Sequence, residues 1–300
     1  MKFRRLGSTH LEVSVIGIGT WQFGGEWGKD YTQKEVDAIL DTAQECQINL
    51  IDTAECYGPD HLSERFIGDY LSRRNREDWI VATKFGHVFE SNFKRQQQWK
   101  SDDVLKQLDD SLKALKTDYI DIYQFHSGTD DVFFNDDLWT MLDKQKRAGK
   151  IRHLGISIRN EGSNRQVDAA SDVNAEVIQV LYNRLDRTAE EYMFDSAIRQ
   201  DLGVLVRVPL ASGFLSGKYK PGAVFAENDV RSVRDQKETE EKLRLVQEIK
   251  EKEVPPNVDM AQWALAWCLK HRAVTCVIPG SKNPEQVRSN AQAVHLLEQE

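Results

Sequence analysis

Four cysteines in 300 residues, none of them in a Cys-x-x-Cys pair, make neither a disulfide scaffold nor a zinc site. The seven histidines include no His-x-x-x-His pair and no cluster with cysteine, so no metal site is expected. No apolar run approaches the ~20 residues of a membrane span. The basic start, MKFRRLGSTHLEVSV, has no apolar core of the kind a secretory signal carries. A reducing cytoplasm is therefore the expected compartment. The formal net charge of −8 argues against general binding to nucleic acid or anionic membranes, so any anion must be held by a local basic cluster. Two nucleotide signatures are missing too. GIGTWQ has Gly17 and Gly19, but Gln22 stands where a Rossmann fingerprint needs its third glycine, and no Walker loop occurs.

What the chain does have is one rhythm. Short apolar runs (VSVIGIGT, NLIDTA, WIVATKF, YIDIYQFH, IRHLGISI, EVIQVLY, GVLVRVPL and VTCVIPG) alternate with stretches of helical periodicity. Val36, Ile39, Leu40 and Ala43 form one helix face; Val104, Leu108, Leu112 and Leu115 form another. Residues 237–253 read as a solvated helix with Glu–Lys pairs at i, i+4. Alternating β and α elements with no linker between them predict parallel strands joined by helical crossovers, in one domain over residues 1–300. Eight such units fit an α/β fold of the (β/α)8 TIM-barrel type. Residues 3–14 read as an N-terminal β-hairpin, turning at Gly7–Thr9 and capping the barrel bottom.

Barrel chemistry sits at the C-terminal ends of the strands. There the sequence places Asp52 and Tyr57 after the second run, Lys84 in the third and His126 in the fourth. These four form an acid–base set without a nucleophile. An ammonium beside a phenol lowers its pKa, and a carboxylate beside the lysine keeps that lysine charged. Such a set suits protonation of a carbonyl oxygen that a hydride is turning into an alkoxide, with His126 orienting that oxygen. Any one of these residues alone reads more readily as a turn or core residue; together they do not. Cys56 reads as packing and His153 as a satisfied structural histidine, while nothing fixes a role for His87. Two late segments offer anion sites: PLASGFLSGKY (209–219), with Lys218, and IPGSKNPEQVRSN (278–290), which enters a helix at Asn283 and Pro284 and carries Lys282 and Arg288.

DTAECYG, KFG, the histidine closing IYQFH, GKIRHLGIS and IPGSKNPEQVRSN together resemble the aldo-keto reductase family across almost the whole chain. The resemblance implies a barrel that binds NADPH (NADP+) in extended form and reduces a small-molecule carbonyl substrate. It implies Tyr57 as general acid, Asp52 and Lys84 as its tuning pair, and His126 as orienter. Ser157 and Gln179 would meet the nicotinamide amide; Leu210, Ser212, Gly213 and Leu215 the pyrophosphate; Ser281, Lys282, Gln286 and Asn290 the adenosine phosphate end. Gly19, Thr20, Trp21, Pro209, Lys218 and Gly280 complete the implied cofactor site.

Three positions depart from the family pattern. Ile158 stands where an asparagine is common, Gly280 where some members have lysine, and Arg207 where an aromatic ring often stacks on nicotinamide. Arg207 reads either as a cation against that ring or as a structural ion-pair residue. Trp21, Phe23, Trp27, Phe85 and Phe89 are candidates for an apolar mouth, and loops 86–100 and 211–237 are long enough to act as lids. Two further readings compete with the reductase. One is a cofactor-sensing subunit resembling potassium-channel β subunits, against which stand the retained four residues and the short N-terminal segment. The other is a barrel aldolase with Lys84 as Schiff base. Oligomeric state is not legible.

Overall fold

Each apolar run delivers one strand, and each strand stops where the sequence turns polar. A computed structural model describes residues 1–159 and 164–297. The strands are β1 (Phe3–Arg5), β2 (Glu12–Ser14), β3 (Ile18–Gly19), β4 (Leu50–Asp52), β5 (Ile80–Phe85), β6 (His87–Ser91), β7 (Lys94–Gln97), β8 (Ile120–His126), β9 (Ile151–Ser157), β10 (Ala175–Leu181), β11 (Gly203–Arg207) and β12 (Cys276–Val277). The helices are α1 (Gln33–Glu45), α2 (Leu62–Leu71), α3 (Ser101–Leu115), α4 (Asp130–Phe133), α5 (Asp136–Arg147), α6 (Asn164–Asp168), α7 (Thr188–Arg199), α8 (Gln236–Lys252), α9 (Met260–Lys270) and α10 (Pro284–Ala291).

Eight strands pair in the order β12-β11-β10-β9-β8-β5-β4-β3, every pair parallel. Parallel bridges Ile16–Val277 and Gly19–Gly280 close that sheet on itself into the expected (β/α)8 barrel. Closure leaves the eight barrel strands without an open sheet edge. The helices bury the faces their periodicity gives them. In α1, Thr32 and Glu35 form a capping box, and Val36, Ile39, Leu40 and Ala43 face inward. No helix among the described residues is long and apolar enough to cross a membrane.

The expected hairpin is present. β1 pairs antiparallel with β2, and Leu6 and Val13, both fully buried, pack against Leu50, Ala82, Ile122, Val177, Leu205 and Cys276 inside the barrel. Gly7, at φ 52°, bridges to Leu202, where an added Cβ would lie 2.1 Å from the Gly203 nitrogen. The hairpin thus seals the N-terminal end of the barrel.

Two expectations need correction. The segment expected as a loop over 86–100 is an antiparallel hairpin, β6–β7, because alternating side chains there pair across a turn containing Phe93 at φ 66°. Helix α8 keeps its Lys242–Glu238 and Lys252–Glu248 pairs but is not solvated all round. Its Leu243, Val246 and Ile249 pack with Phe214, Leu215, Met260 and Ala264 in a satellite core.

Candidate active site

The ends of β4, β5 and β8 bring four polar side chains together, as the barrel topology requires. Lys84 is fully buried, and its ammonium spends all three protons. It donates to Asp52 Oδ2 at 2.7 Å, to the Thr53 carbonyl at 2.7 Å and to the Tyr57 hydroxyl oxygen at 3.1 Å. Asp52 Oδ1 accepts from Gln124 Nε2 at 3.1 Å and from Gln179 Nε2 at 2.7 Å. The buried carboxylate is thereby satisfied on both oxygens. Burial pushes the Lys84 pKa down, but Asp52 and then Tyr57 outweigh it, so the net direction is up and the ammonium stays charged. A charged, fully engaged ammonium has no lone pair to offer a carbonyl carbon, which disfavours the Schiff-base reading.

For Tyr57 the direction differs from the sequence expectation. Burial pushes the phenol up, Lys84 pulls it down and Asp52 pushes it up again; the net direction is up. Proximity to an ammonium does lower the value, but desolvation of a phenolate in this buried position is larger. Tyr57 is therefore a protonated phenol at neutral pH. Its oxygen accepts from Lys84, so its own hydrogen must point elsewhere.

His126 closes β8 and lies edge-on to Tyr57, with ring centroids 6.2 Å apart. Burial holds its pKa well below the ordinary imidazole range, and Lys84, His87, Arg207 and Arg95 add to that. The ring is neutral. Its Nδ1 lies 3.8 Å from Cys56 Sγ, and a thiol donating to Nδ1 leaves the proton on Nε2. Trp21 stacks at 22° to the Tyr57 ring, with centroids 6.0 Å apart.

These groups open into a cavity of about 1110 Å³ at the C-terminal mouth of the barrel. Tyr57, His126, Asp52 and Gln179 line it; Lys84 stands behind the wall. Of the remaining expected cofactor residues, Gly19, Thr20, Trp21, Arg207, Pro209, Leu210, Ser212, Gly213, Lys218, Gly280, Lys282, Gln286 and Asn290 also line it. Three do not. The Leu215 side chain belongs to the satellite core, and its amide donates to the Leu210 carbonyl. Ser281 Oγ accepts from Asn290 Nδ2 at 3.1 Å beneath the surface. The Ser157 side chain is buried at the end of β9, with its hydroxyl outside every hydrogen bond among the described residues.

Arg288 is also removed from the anion segment, since it pairs with Glu45 at 2.8 Å on the far side of α10. Asn283 does cap α10, accepting from the Gln286 amide. Gln22 fills the space beside Gly280, where an added Cβ would lie 1.4 Å from its Nε2. Arg207 donates to the Ile158 carbonyl at 3.1 Å, and burial lowers its pKa. His153 meets Glu176 at 2.9 Å, as a structural histidine should.

Several participants escaped the sequence reading. Gln124 was readable in principle, as the polar residue two before His126 in an apolar strand. Glu26 was not. It is fully buried, pairs with Arg95, and accepts from Trp21 Nε1 at 2.7 Å and the Phe93 amide at 2.6 Å, which fastens the β6–β7 hairpin over the mouth. The hairpin brings His87, Phe93, Arg95 and Gln97 to the cavity. Of the aromatic residues expected there, Trp21 and Trp27 line it, whereas Phe23 and Phe85 are core residues packed on Tyr31 and Tyr123. Phe89 lies outside the lining, against Arg95. Within the segment expected as a lid over 211–237, Arg231 pairs with Asp229, lies over the rings of Trp27, Tyr219 and Phe225, and joins a strap across the mouth. Trp27 bridges Asp229 in that strap, and Lys282 Nζ donates to the Trp27 carbonyl at 2.6 Å.

Comparisons with known proteins agree on one family. Residues 15–300 match the Aldo/keto reductase family. An NADH-specific methylglyoxal reductase of Escherichia coli is 32% identical, with 99% of this chain and 94% of the relative covered. Among solved structures, an aldo-keto reductase from Bacillus halodurans in its holo form superposes with a TM-score of 0.81 at 31% identity, covering 98% of this chain and 91% of that one. A glycerol dehydrogenase from Gluconobacter oxydans gives a TM-score of 0.83 at 28% identity, covering 97% and 89%.

Proposed function

The chain belongs to the aldo/keto reductase family of oxidoreductases, and on that premise we propose that it reduces aldehydes or ketones to alcohols with NADPH, Tyr57 giving the proton. One observation carries the reading. The third Lys84 proton is directed at the Tyr57 oxygen, so the phenol O–H is free to point into the cavity. A carbonyl oxygen seated there meets two neutral donors, the Tyr57 hydroxyl and His126 Nε2–H. As negative charge grows on that oxygen, Tyr57 releases its proton to it, and the adjacent ammonium stabilises the phenolate left behind. Asp52 holds Lys84 charged and aimed.

The cofactor fits the residues present. A volume of about 1110 Å³ lies just above the roughly 300–1,000 Å³ range of small-molecule sites, as a dinucleotide with a substrate beside it requires. It runs from Tyr57 to the N-terminus of α10, where Lys282 and Gln286 line the wall and peptide N–H groups attract anions. When bound, the reduced nicotinamide supplies hydride to the carbonyl carbon. Gln179 has both Nε2 protons engaged, by Asp52 and by Gln124 at 3.2 Å, so it presents its oxygen as an acceptor for a carboxamide N–H.

A panel of aldehydes and ketones scored by NADPH oxidation tests the activity. Turnover of none of them, with cofactor bound, would defeat it. Preference for NADPH over NADH rests on Lys282, whose pKa is lowered by burial and by the neighbouring Arg231, marking a spot that favours added negative charge. Lys282→Ala should weaken NADPH roughly ten- to a hundred-fold and NADH much less, because only NADPH carries a 2′-phosphate. Dissociation constants for both cofactors check this; equal weakening would make Lys282 a fastener of the Trp27 strap instead.

A further inference from the structure

The end of the cavity beyond Tyr57 and His126 is built from residues that the catalytic set does not use. His87, Phe93, Arg95 and Gln97 come from the β6–β7 hairpin, and Ser127 and Arg159 from the loops after β8 and β9. The backbone there is pinned. Ser127 N donates to the Ser157 carbonyl at 2.9 Å, Ile158 N donates to the Gln179 carbonyl at 2.9 Å, and the Ile158 carbonyl accepts from Arg207. Arg159 follows directly on this pinned backbone and lines the cavity.

Among the described residues the charges at this end do not cancel. Glu26 is committed to Arg95, and Asp52 to Lys84. Among the described residues Arg159 has no carboxylate within ion-pair distance. Two of the polar groups lining the same cavity, His87 and His126, are neutral. Burial holds His87 uncharged, with Arg95 and Arg159 adding to that effect, and His126 is uncharged as well. A guanidinium in a partly desolvated recess, with neutral donors around it, is a receptor for a carboxylate or phosphate group. On a chain of net charge −8, this recess is a local exception.

We propose that this end of the cavity is an anion subsite: the substrate is a carbonyl compound bearing a carboxylate or a phosphate, received by Arg159 with Ser127, Gln97 and His87 beside it, while its carbonyl lies at Tyr57 and His126. The proposal rests on the reductase reading for the identity of the carbonyl and on the recess for the anion. It makes Arg159 a specificity residue. The sequence passed over it because it stands two residues beyond Ser157, outside the motifs that pointed to the site.

The test compares matched pairs: succinic semialdehyde against butanal for the carboxylate, and glycolaldehyde phosphate against glycolaldehyde for the phosphate. At least one anionic member should exceed its neutral partner in kcat/KM by about tenfold or more, less so as salt is added. The pair that responds identifies the anion. Arg159→Gln should cost that anionic substrate roughly ten- to a hundred-fold, mostly in KM and well beyond any loss on its neutral partner, and Arg159→Lys should recover part. Equal kcat/KM within both pairs, or equal losses in Arg159→Gln, would overturn the subsite.

A binding measurement separates this from the reductase reading. Butyrate or methyl phosphate is titrated into the NADPH-loaded protein, read by quenching of Trp21 and Trp27 fluorescence. Saturable binding lost in Arg159→Gln supports the subsite even if no carbonyl is reduced. No binding of either anion, together with no anionic preference, removes the subsite and leaves the reductase reading standing.

Discussion

Tyr57→Phe should fold, bind NADPH and reduce carbonyls about 10²–10⁴-fold more slowly than the parent, the usual contribution of a positioned general acid. Only one oxygen is removed. That oxygen accepts from Lys84 and presents a phenol proton to the cavity beside His126. His126, neutral and buried, can still orient a carbonyl but is a poor proton source. The ring itself stays, with its stacking on Trp21, so the cavity keeps its shape. Single-turnover rates with saturating cofactor measure the effect. A rate within a factor of two of the parent would eliminate Tyr57 as proton donor.

Lys84→Met should be as inactive as Tyr57→Phe and, unlike it, markedly less stable. Among the described residues the ammonium is the only cation bonded to Asp52, and both side chains are essentially out of water. Removing one member of a buried pair typically costs about 3–5 kcal/mol, because the other is left as an uncompensated charge. The Asp52 carboxylate would keep only the two amide donors of Gln124 and Gln179. Without Lys84 the influence that lowers the phenol pKa is gone while burial and Asp52 remain, so the proton is held more tightly. The double variant Tyr57→Phe/Lys84→Met should be no slower than either single one, since the two act as one unit. Urea midpoints and single-turnover rates of the three variants decide the matter. Losses that multiply would mean Lys84 acts on the reaction independently of Tyr57.

The barrel was legible because its information is local. Eight apolar runs separated by helical periodicity can be read without knowing which run pairs with which, and parallel crossovers then leave few arrangements. Asp52, Lys84 and His126 were legible for the same reason, each being a polar residue where an apolar strand ends, and Tyr57 stands in the turn that follows Asp52. What could not be read depends on partners distant in sequence. Glu26 and Arg95 are 69 positions apart and look like surface charges until the fold buries one against the other. Phe85 and Trp21 are equally aromatic on paper, yet Phe85 points into the core and Trp21 into the cavity. The Tyr57 pKa shift was misjudged because a sequence names the neighbouring charge but not the depth of burial that competes with it. Leu215 and Ser281 sit within segments that do reach the cavity, and only side-chain direction removes them from it.

The hairpin that closes the barrel floor divides each strand between two duties. Leu6 and Val13 rest on Leu50, Ala82, Ile122 and Leu205, the early residues of strands whose last residues are Asp52, Phe85, His126 and Arg207. The hairpin positions Leu6 and Val13 are themselves separated from the mouth by this layer of side chains, so substitutions there reach the site only through it. Selection can remodel the rim, and with it the range of compounds accepted, while the floor holds the fold above its threshold. A lineage built on such a chain can diversify at one end and buffer at the other.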